Sequence, residues 1–330
     1  MGRREDMRAA LEGRLPAGAV PIWELEFHAW DPITGGHVVL GREFCALSPA
    51  EQERALETNA ERLLSGAQAL HHAALTVPGN YWEIAPGEPA FYWLPPEARF
   101  RQIELLKQAG GGELMLVAGS GGVMSMPGAS EYVAFCYQLY DTPQEIDLRA
   151  ALTLKHGLEA AKRLRDLGIE AVFSASDIAD NRGLFFSPGQ MDRFILPYLR
   201  RWAAAVKEMG LYAILHTDGD IRTCLEELAE SGLDALQAID PVAGMDMREV
   251  RVQVGDRLCL CGNVDCGLLV MGTPEQVYAA TRDLLVKCKA GGGLVLGASN
   301  AVQPEVPIAN YYAMIEAWQD YGRYDAAGSA

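Results

Sequence analysis

Positive charge is scarce in this chain: 28 lysines and arginines stand against 44 aspartates and glutamates, a formal net charge of −16. No cluster of Lys and Arg is visible, so the electrostatic grip on which nucleic-acid binding rests is missing and a nucleic-acid partner is excluded. No apolar run reaches the ~18 residues of a membrane span, and Met1 to Asp6 lack the apolar core of a secretory signal. No membrane association is expected. The seven cysteines are odd in number and form no CxxC pair, so they read as reduced thiols of a cytoplasmic protein rather than a disulfide frame. There is no GxSxG, and no GxGxxG after a strand. The glycine-rich turn from Gly119 to Gly122 lacks a P-loop lysine. Serine-hydrolase and dinucleotide chemistry are thereby argued against.

What is present is an apolar fraction of 49% in 330 residues, ample for a sizeable core. No linker divides the chain and no repeat is visible. Residues 1–330 read as one domain, with 1–19 a helical extension whose helix, over 1–15, puts Met7, Ala10, Leu11 and Leu15 on one side. Residues 20–28 have strand composition. Strict alternation puts Ile22, Glu24, Glu26 and His28 on one face and Trp23, Leu25 and Phe27 on the other, so the acids form a candidate cavity-facing row. Ser48 with Glu51 three residues later starts a helix that runs to about residue 64 or past His71. Residues 76–96, rich in proline, glycine and aromatics, read as an ordered loop, and helices are expected over 128–140 and 143–167.

From residue 169 the rhythm is regular. Strand candidates at 169–175, 211–217, 235–239, 257–262 and 293–298 alternate with helical stretches at 188–209, 220–231, 246–254, 274–288 and 307–320. Such alternation means parallel βα units. Adding strands at 20–27, about 73–77 and 113–118 gives eight. The expected fold is an α/β protein, a (β/α)8 TIM barrel in a single domain with an irregular N-terminal half. Its site should lie at the carboxyl ends of the strands.

The centre of that expectation is the stretch 211–220, an apolar run ending in His216, Asp218 and Gly219. Two apart on a strand, His216 and Asp218 face the same way. An imidazole with a carboxylate can move a proton or hold a metal, so the two are the expected catalytic pair and the expected ligands of a divalent ion such as zinc. Cys266, Glu26 and His28 add donors only if the fold brings them close. Other strand ends carry Asp177, Asp180 and Asn181, then Asn263 and Asp265, then Asn300. Plainer roles stand beside the functional one: Asp177, Asp180 or Asp265 as helix caps, and Asn263 as a tie between loops.

The order of these motifs resembles the uroporphyrinogen decarboxylase superfamily, which includes cobamide-dependent methyltransferases. The resemblance is carried by Phe186, Ser187 and Pro188; by His216, Asp218 and Gly219; by Gly232, Asp234 and Gln237; by Cys261 to Asp265; by Gly272 to Glu275; and by Asn300 ahead of Pro304, Pro307 and Asn310. It covers roughly residues 165–325. The family's decarboxylases carry paired arginines just after the first strand, where this chain has Glu24, Glu26 and His28. An acidic rim repels a polycarboxylated porphyrinogen. The methyl-transferring branch carries His-x-Cys-Gly at strand five and a further cysteine at strand eight. Here Asp218 takes the first cysteine position, and Ser299 and Asn300 occupy the strand-eight region. Oxygen donors suit an acceptor that is not a thiol, such as a pterin nitrogen.

The resemblance therefore implies a methyltransferase that moves a methyl group between a methylated corrinoid (methylcobalamin) and tetrahydrofolate or a similar small-molecule acceptor, as in a demethylation pathway. Glu24, Glu26, His28, Asp177, Asp180, Asn181, Asn263, Asp265 and Asn300 are its expected substrate-binding residues. Nothing resembles a corrinoid-carrier motif, Asp-x-His-x-x-Gly, so the corrinoid is expected on a carrier protein as partner. Two alternatives stand: a decarboxylase or lyase of a small or tetrapyrrole carboxylate, with His216 as proton donor, and a non-catalytic barrel that binds a corrinoid or its carrier. Assembly as a homodimer is left open.

Overall fold

A computed structural model describes residues 2–79 and 92–324. The loop expected over 76–96 therefore lies in its greater part outside the described residues. Strands follow in the order β1 (Ala74–Thr76), β2 (Met115–Gly119), β3 (Ala171–Ala175), the short antiparallel pair β4 (Ala179–Asp180) and β5 (Gly183–Leu184), then β6 (Tyr212–Thr217), β7 (Ala235–Ala238), β8 (Cys259–Val264) and β9 (Leu294–Ala298). All except β4 and β5 form one parallel sheet, β1-β2-β3-β6-β7-β8-β9. Consecutive strands are neighbours throughout, as successive βα units require.

Residues 20–27 close this sheet into a barrel. Ile22 bridges in parallel to His72 just before β1 and to Leu296 of β9, and Phe27 bridges to Val302. The Trp23 N–H donates to Leu296 O at 3.0 Å, and the Ala73 N–H to Ile22 O at 2.8 Å. Gly297 allows the close seam, since a Cβ there would stand 2.2 Å from Trp23 O.

This eighth stave is not a regular strand, because Pro21 has no N–H to give a ladder and the chain bends at Leu25. The strict alternation expected for it fails for that reason. Trp23 and Leu25 point into the barrel, whereas Phe27 joins Ile22 in the outer layer of the core. Glu26 turns into the mouth of the barrel.

The barrel interior is filled by Trp23, Met115, Val117, Phe173, Ile214, Cys261 and Val295. Its amino end is plugged by the helix Arg3–Leu11, which inserts Met7, Ala10 and Leu11. Arg4 and Arg8 both pair with Glu170 just ahead of β3, at 2.9 and 2.6 Å. That helix is shorter than the expected 1–15, since Gly13 takes a left-handed φ of 66° and Pro16 follows.

Outside the staves lie the helices Pro49–Ala69 (entered through a Ser48–Glu51 capping box), Pro143–Leu167, Leu196–Glu208, Pro274–Cys288 and Ile308–Tyr321. Helices not expected from the sequence include Pro96–Gln108, between β1 and β2, and the short Asp31–Thr34 and Gly41–Ala46. Among the described residues no helix is long and apolar enough to cross a membrane.

Candidate functional site

His216 is the fifth residue of β6, and the period of two that sends Ile214 into the barrel core sends His216 into the space above it. Its ring is held from behind. Gln237, on the neighbouring strand β7 and directly opposite His216 in register, donates from Nε2 to the carbonyls of Ala298 and Ser299 at 3.3 and 3.2 Å. The amide is thereby oriented, and its Oε1 faces His216 Nδ1 within hydrogen-bond contact. Nδ1 must carry a hydrogen, so Nε2 is the ring nitrogen presented to the mouth.

Two carboxylates meet Nε2. Asp177 Oδ1 and Asp218 Oδ2 each stand 3.8 Å from His216 Nε2. The three side chains have donor atoms within 4.8 Å of one another. Asp177 is fixed by accepting the Asp218 N–H at 2.9 Å, and Asp218 by accepting from Asn300 Nδ2. Gly219 lets β6 turn off at this point. Its φ is 89°, and a Cβ would lie 2.7 Å from the Ala179 carbonyl. Its N–H donates to Asp240 Oδ2 at 3.1 Å. Burial pushes the Asp218 carboxyl up to about 6. Asp177 and Asp240 add to the rise, while His216 and the Asn300 hydrogen bond oppose it.

These residues line one side of a cavity of 560 Å3 at the carboxyl mouth, within the size range of small-molecule sites. Leu25 and Phe173 form apolar wall, and Glu26 and Arg99 supply charge. Glu26 is buried and accepts from His28 Nε2 at 3.0 Å, while the His28 ring stacks on Tyr92 with centroids 4.7 Å apart. Arg99 donates from Nη2 to Gly119 O at 2.9 Å.

Of the residues expected to bind substrate, the fold brings Glu26, Asp177 and Asn300 to the cavity, with His28 behind Glu26. It places the others elsewhere. Glu24 points outward, where its carboxyl accepts from Tyr311 Oη and from the Ala298 N–H, both at 2.8 Å, and burial drives it up to about 8. Asp180 accepts the Arg182 N–H at 2.7 Å on the β4–β5 pair, and Asn181 is exposed beside it. Asn263 donates to Ile239 O at 2.7 Å. That bond pins the turn after β7, in which Ala238 and Ile239 both take positive φ. Asp265 caps the helix Cys266–Met271 through the Gly267 and Leu268 N–H groups. Asn263 and Asp265 border a separate hollow of 240 Å3. Cys266 stays out of the metal-type cluster: its sulfur accepts the Asn300 N–H at 3.2 Å, and burial raises the thiol to about 11.

Sequence reasoning missed the roles of Gln237 and Arg99. A glutamine inside an otherwise apolar strand was a usable signal for the first, whereas nothing marked the second.

An eight-stave parallel barrel with an imidazole and carboxylates at the carboxyl ends of its strands defines a small-molecule site of the α/β-barrel enzymes. The chain belongs to the uroporphyrinogen decarboxylase (URO-D) family, whose model matches residues 99–321. It is 31% identical over 152 residues to the uroporphyrinogen decarboxylase of Chlorobium luteolum, spanning 45% of this chain and 42% of that protein. It is 32% identical over 148 residues to that of Coxiella burnetii, spanning 43% and 39%. The chain thus matches less than half the length of these curated relatives. Among solved structures, the methyltransferase from Methanosarcina mazei superposes with a TM-score of 0.68 over 97% of this chain and 99% of that one. At 18% identity this is a likeness of fold.

Proposed function

We propose that this protein is a methyltransferase that passes a methyl group between a methylated corrinoid, held on a carrier protein, and a ring nitrogen of tetrahydrofolate or a similar acceptor. The observation that carries this reading is the Asp177–His216–Asp218 cluster, which offers nitrogen and oxygen donors and no sulfur. A thiol acceptor calls for thiolate-rich zinc, and Cys266 is a protonated thiol turned away from the cluster. The cluster fits a divalent cation: Gln237 orients the imidazole and Asn300 orients Asp218, the outer support that metal ligands need. Such an ion would supply Lewis acidity toward the acceptor.

The remaining work falls to the protein's own side chains. As the acceptor nitrogen gains the methyl group, the bonding pair of the broken bond stays on cobalt and the N–H proton must leave. Where no ion is held, Asp218, raised to about 6 and facing the cavity, is placed to take it near neutral pH. His216 Nε2 then faces the same edge of the acceptor. The apolar wall of Leu25 and Phe173 keeps water from the reacting face.

One observation supports a second reading. Arg99 in the cavity suits a small carboxylate, and thus a decarboxylase or lyase with His216 as proton donor. Uroporphyrinogen itself suits the cavity poorly, because Glu26, Asp177 and Asp218 outnumber the single arginine.

The deciding experiment is anaerobic absorbance spectroscopy of the purified protein with methylcobalamin and tetrahydrofolate. The methylcobalamin bands should decay with wild type, and at least ~100-fold more slowly with His216→Ala, the usual scale for losing an acid–base group. No decay with either protein would remove the methyl-transfer reading and turn the search to carbon dioxide release from small carboxylic acids.

A further inference from the structure

Arg99 is a half-buried guanidinium in the cavity wall. Its Nη2 has one acceptor, Gly119 O, and its Nε is buried with no hydrogen-bond partner. Among the described residues no carboxylate is in ion-pair contact with it, and Glu26, the opposite charge that acts on it across the cavity, has an oxygen engaged by His28 Nε2. The position is built into the chain. Gly79 leaves the space that the arginine stem fills, since a Cβ there would stand 2.2 Å from Arg99 Cδ. Arg99 is half-buried, and a guanidinium whose buried Nε has no acceptor leaves a polar group for a ligand to complete.

We propose that Arg99 anchors a carboxylate of the substrate, so that the molecule worked on in this cavity is a small organic monoacid. Its charge lies on the Arg99 side, its apolar body against Leu25 and Phe173, and its reacting group at the Asp177–His216–Asp218 cluster. A planar fork of donors matches a carboxylate in two-point contact. A dianionic phosphate is opposed by Glu26, Asp177 and Asp218, which face the same 560 Å3. Arg99 thus reads as a specificity-determining residue. The inference rests on this cavity being the active site; under decarboxylation the monoacid is the substrate, and under methyl transfer it takes the place of the dicarboxylate tetrahydrofolate beside the corrinoid.

The test is calorimetric titration with benzoate and with benzamide, which share a shape and differ in charge. Wild type should bind benzoate at least tenfold more tightly than benzamide. Arg99→Met should bring the two to parity, and His216→Ala should keep the wild-type preference. Equal binding of acid and amide by wild type, no benzoate binding at all, or a preference that survives in folded Arg99→Met would each overturn the proposal. Should Arg99→Met fail to fold, the wild-type comparison decides alone. The assay involves no turnover: an acid preference in a protein that leaves methylcobalamin unchanged would remove the methyl-transfer reading and uphold this one.

Discussion

At His216 the chemistry depends on which ring nitrogen reaches the cavity, and Gln237 sets it by spending its own N–H groups on the Ala298 and Ser299 carbonyls. Asp218 is the companion whose state changes with pH. Its carboxyl is raised from an ordinary 3.8 to about 6 by burial, with Asp177 and Asp240 adding to the rise. The neutral form is therefore favoured in the fold. Stability from this group is full below about pH 4 and lost as pH rises through about 6. Asp218→Asn should accordingly melt with wild type near pH 4 and above it at pH 7 and beyond in metal-free buffer. Metal uptake runs the other way, because the ligand is the carboxylate. Zinc affinity, read by competition with a chromophoric chelator, should fall at least tenfold per unit below pH 6, since the Asp218 carboxyl must ionise along with the other ligands. A melting difference that does not change with pH would contradict this account of Asp218.

Among the elements, the seam between residues 20–27 and β9 is a join without a regular ladder, made by backbone bonds at Pro21, Trp23 and Leu296 and by the absence of a side chain at Gly297. Gly297→Ala drives a methyl group into the Trp23 carbonyl. Overpacking of this kind costs about 1–3 kcal/mol, to be read as a lowered urea midpoint, and an unchanged midpoint would show that the seam can give. The seam also shows what the sequence could and could not disclose. β6 was legible because an apolar run stopped at His216, Asp218 and Gly219, and a regular parallel strand sends alternate residues to one side. Residues 20–28 were misread because the same rule was applied across a bend at Leu25, which turned Glu24 out to Tyr311 and Glu26 into the mouth. Asp180, Asn263 and Asp265 were polar at strand ends for a local reason, the backbone N–H and C=O groups beside them. Arg99 was invisible because its meaning depends on Gly79 and Gly119, brought to it only by the fold.

Over the whole molecule the barrel divides into a sealed end and an open one. The helix Arg3–Leu11 fills the amino end with Met7 and Leu11, while the polar cluster and its 560 Å3 cavity occupy the carboxyl end. Between them lies a packed layer that includes Met115, Val117, Phe173 and Ile214. This division is how (β/α)8 barrels separate stability from chemistry. Met7 is fully buried, and its hydrophobic contribution is made at the sealed end. Met7→Ala removes that side chain and leaves a cavity, at a cost of about 2–5 kcal/mol. Sites at opposite ends of that layer, with no residue in common, should act largely independently. The variant should therefore show a lower denaturation midpoint, with zinc affinity and acid-over-amide preference equal to wild type wherever it is folded. Loss of the carboxyl-end properties in folded Met7→Ala would mean that the interior layer transmits strain from plug to mouth, and that the two ends are one cooperative unit.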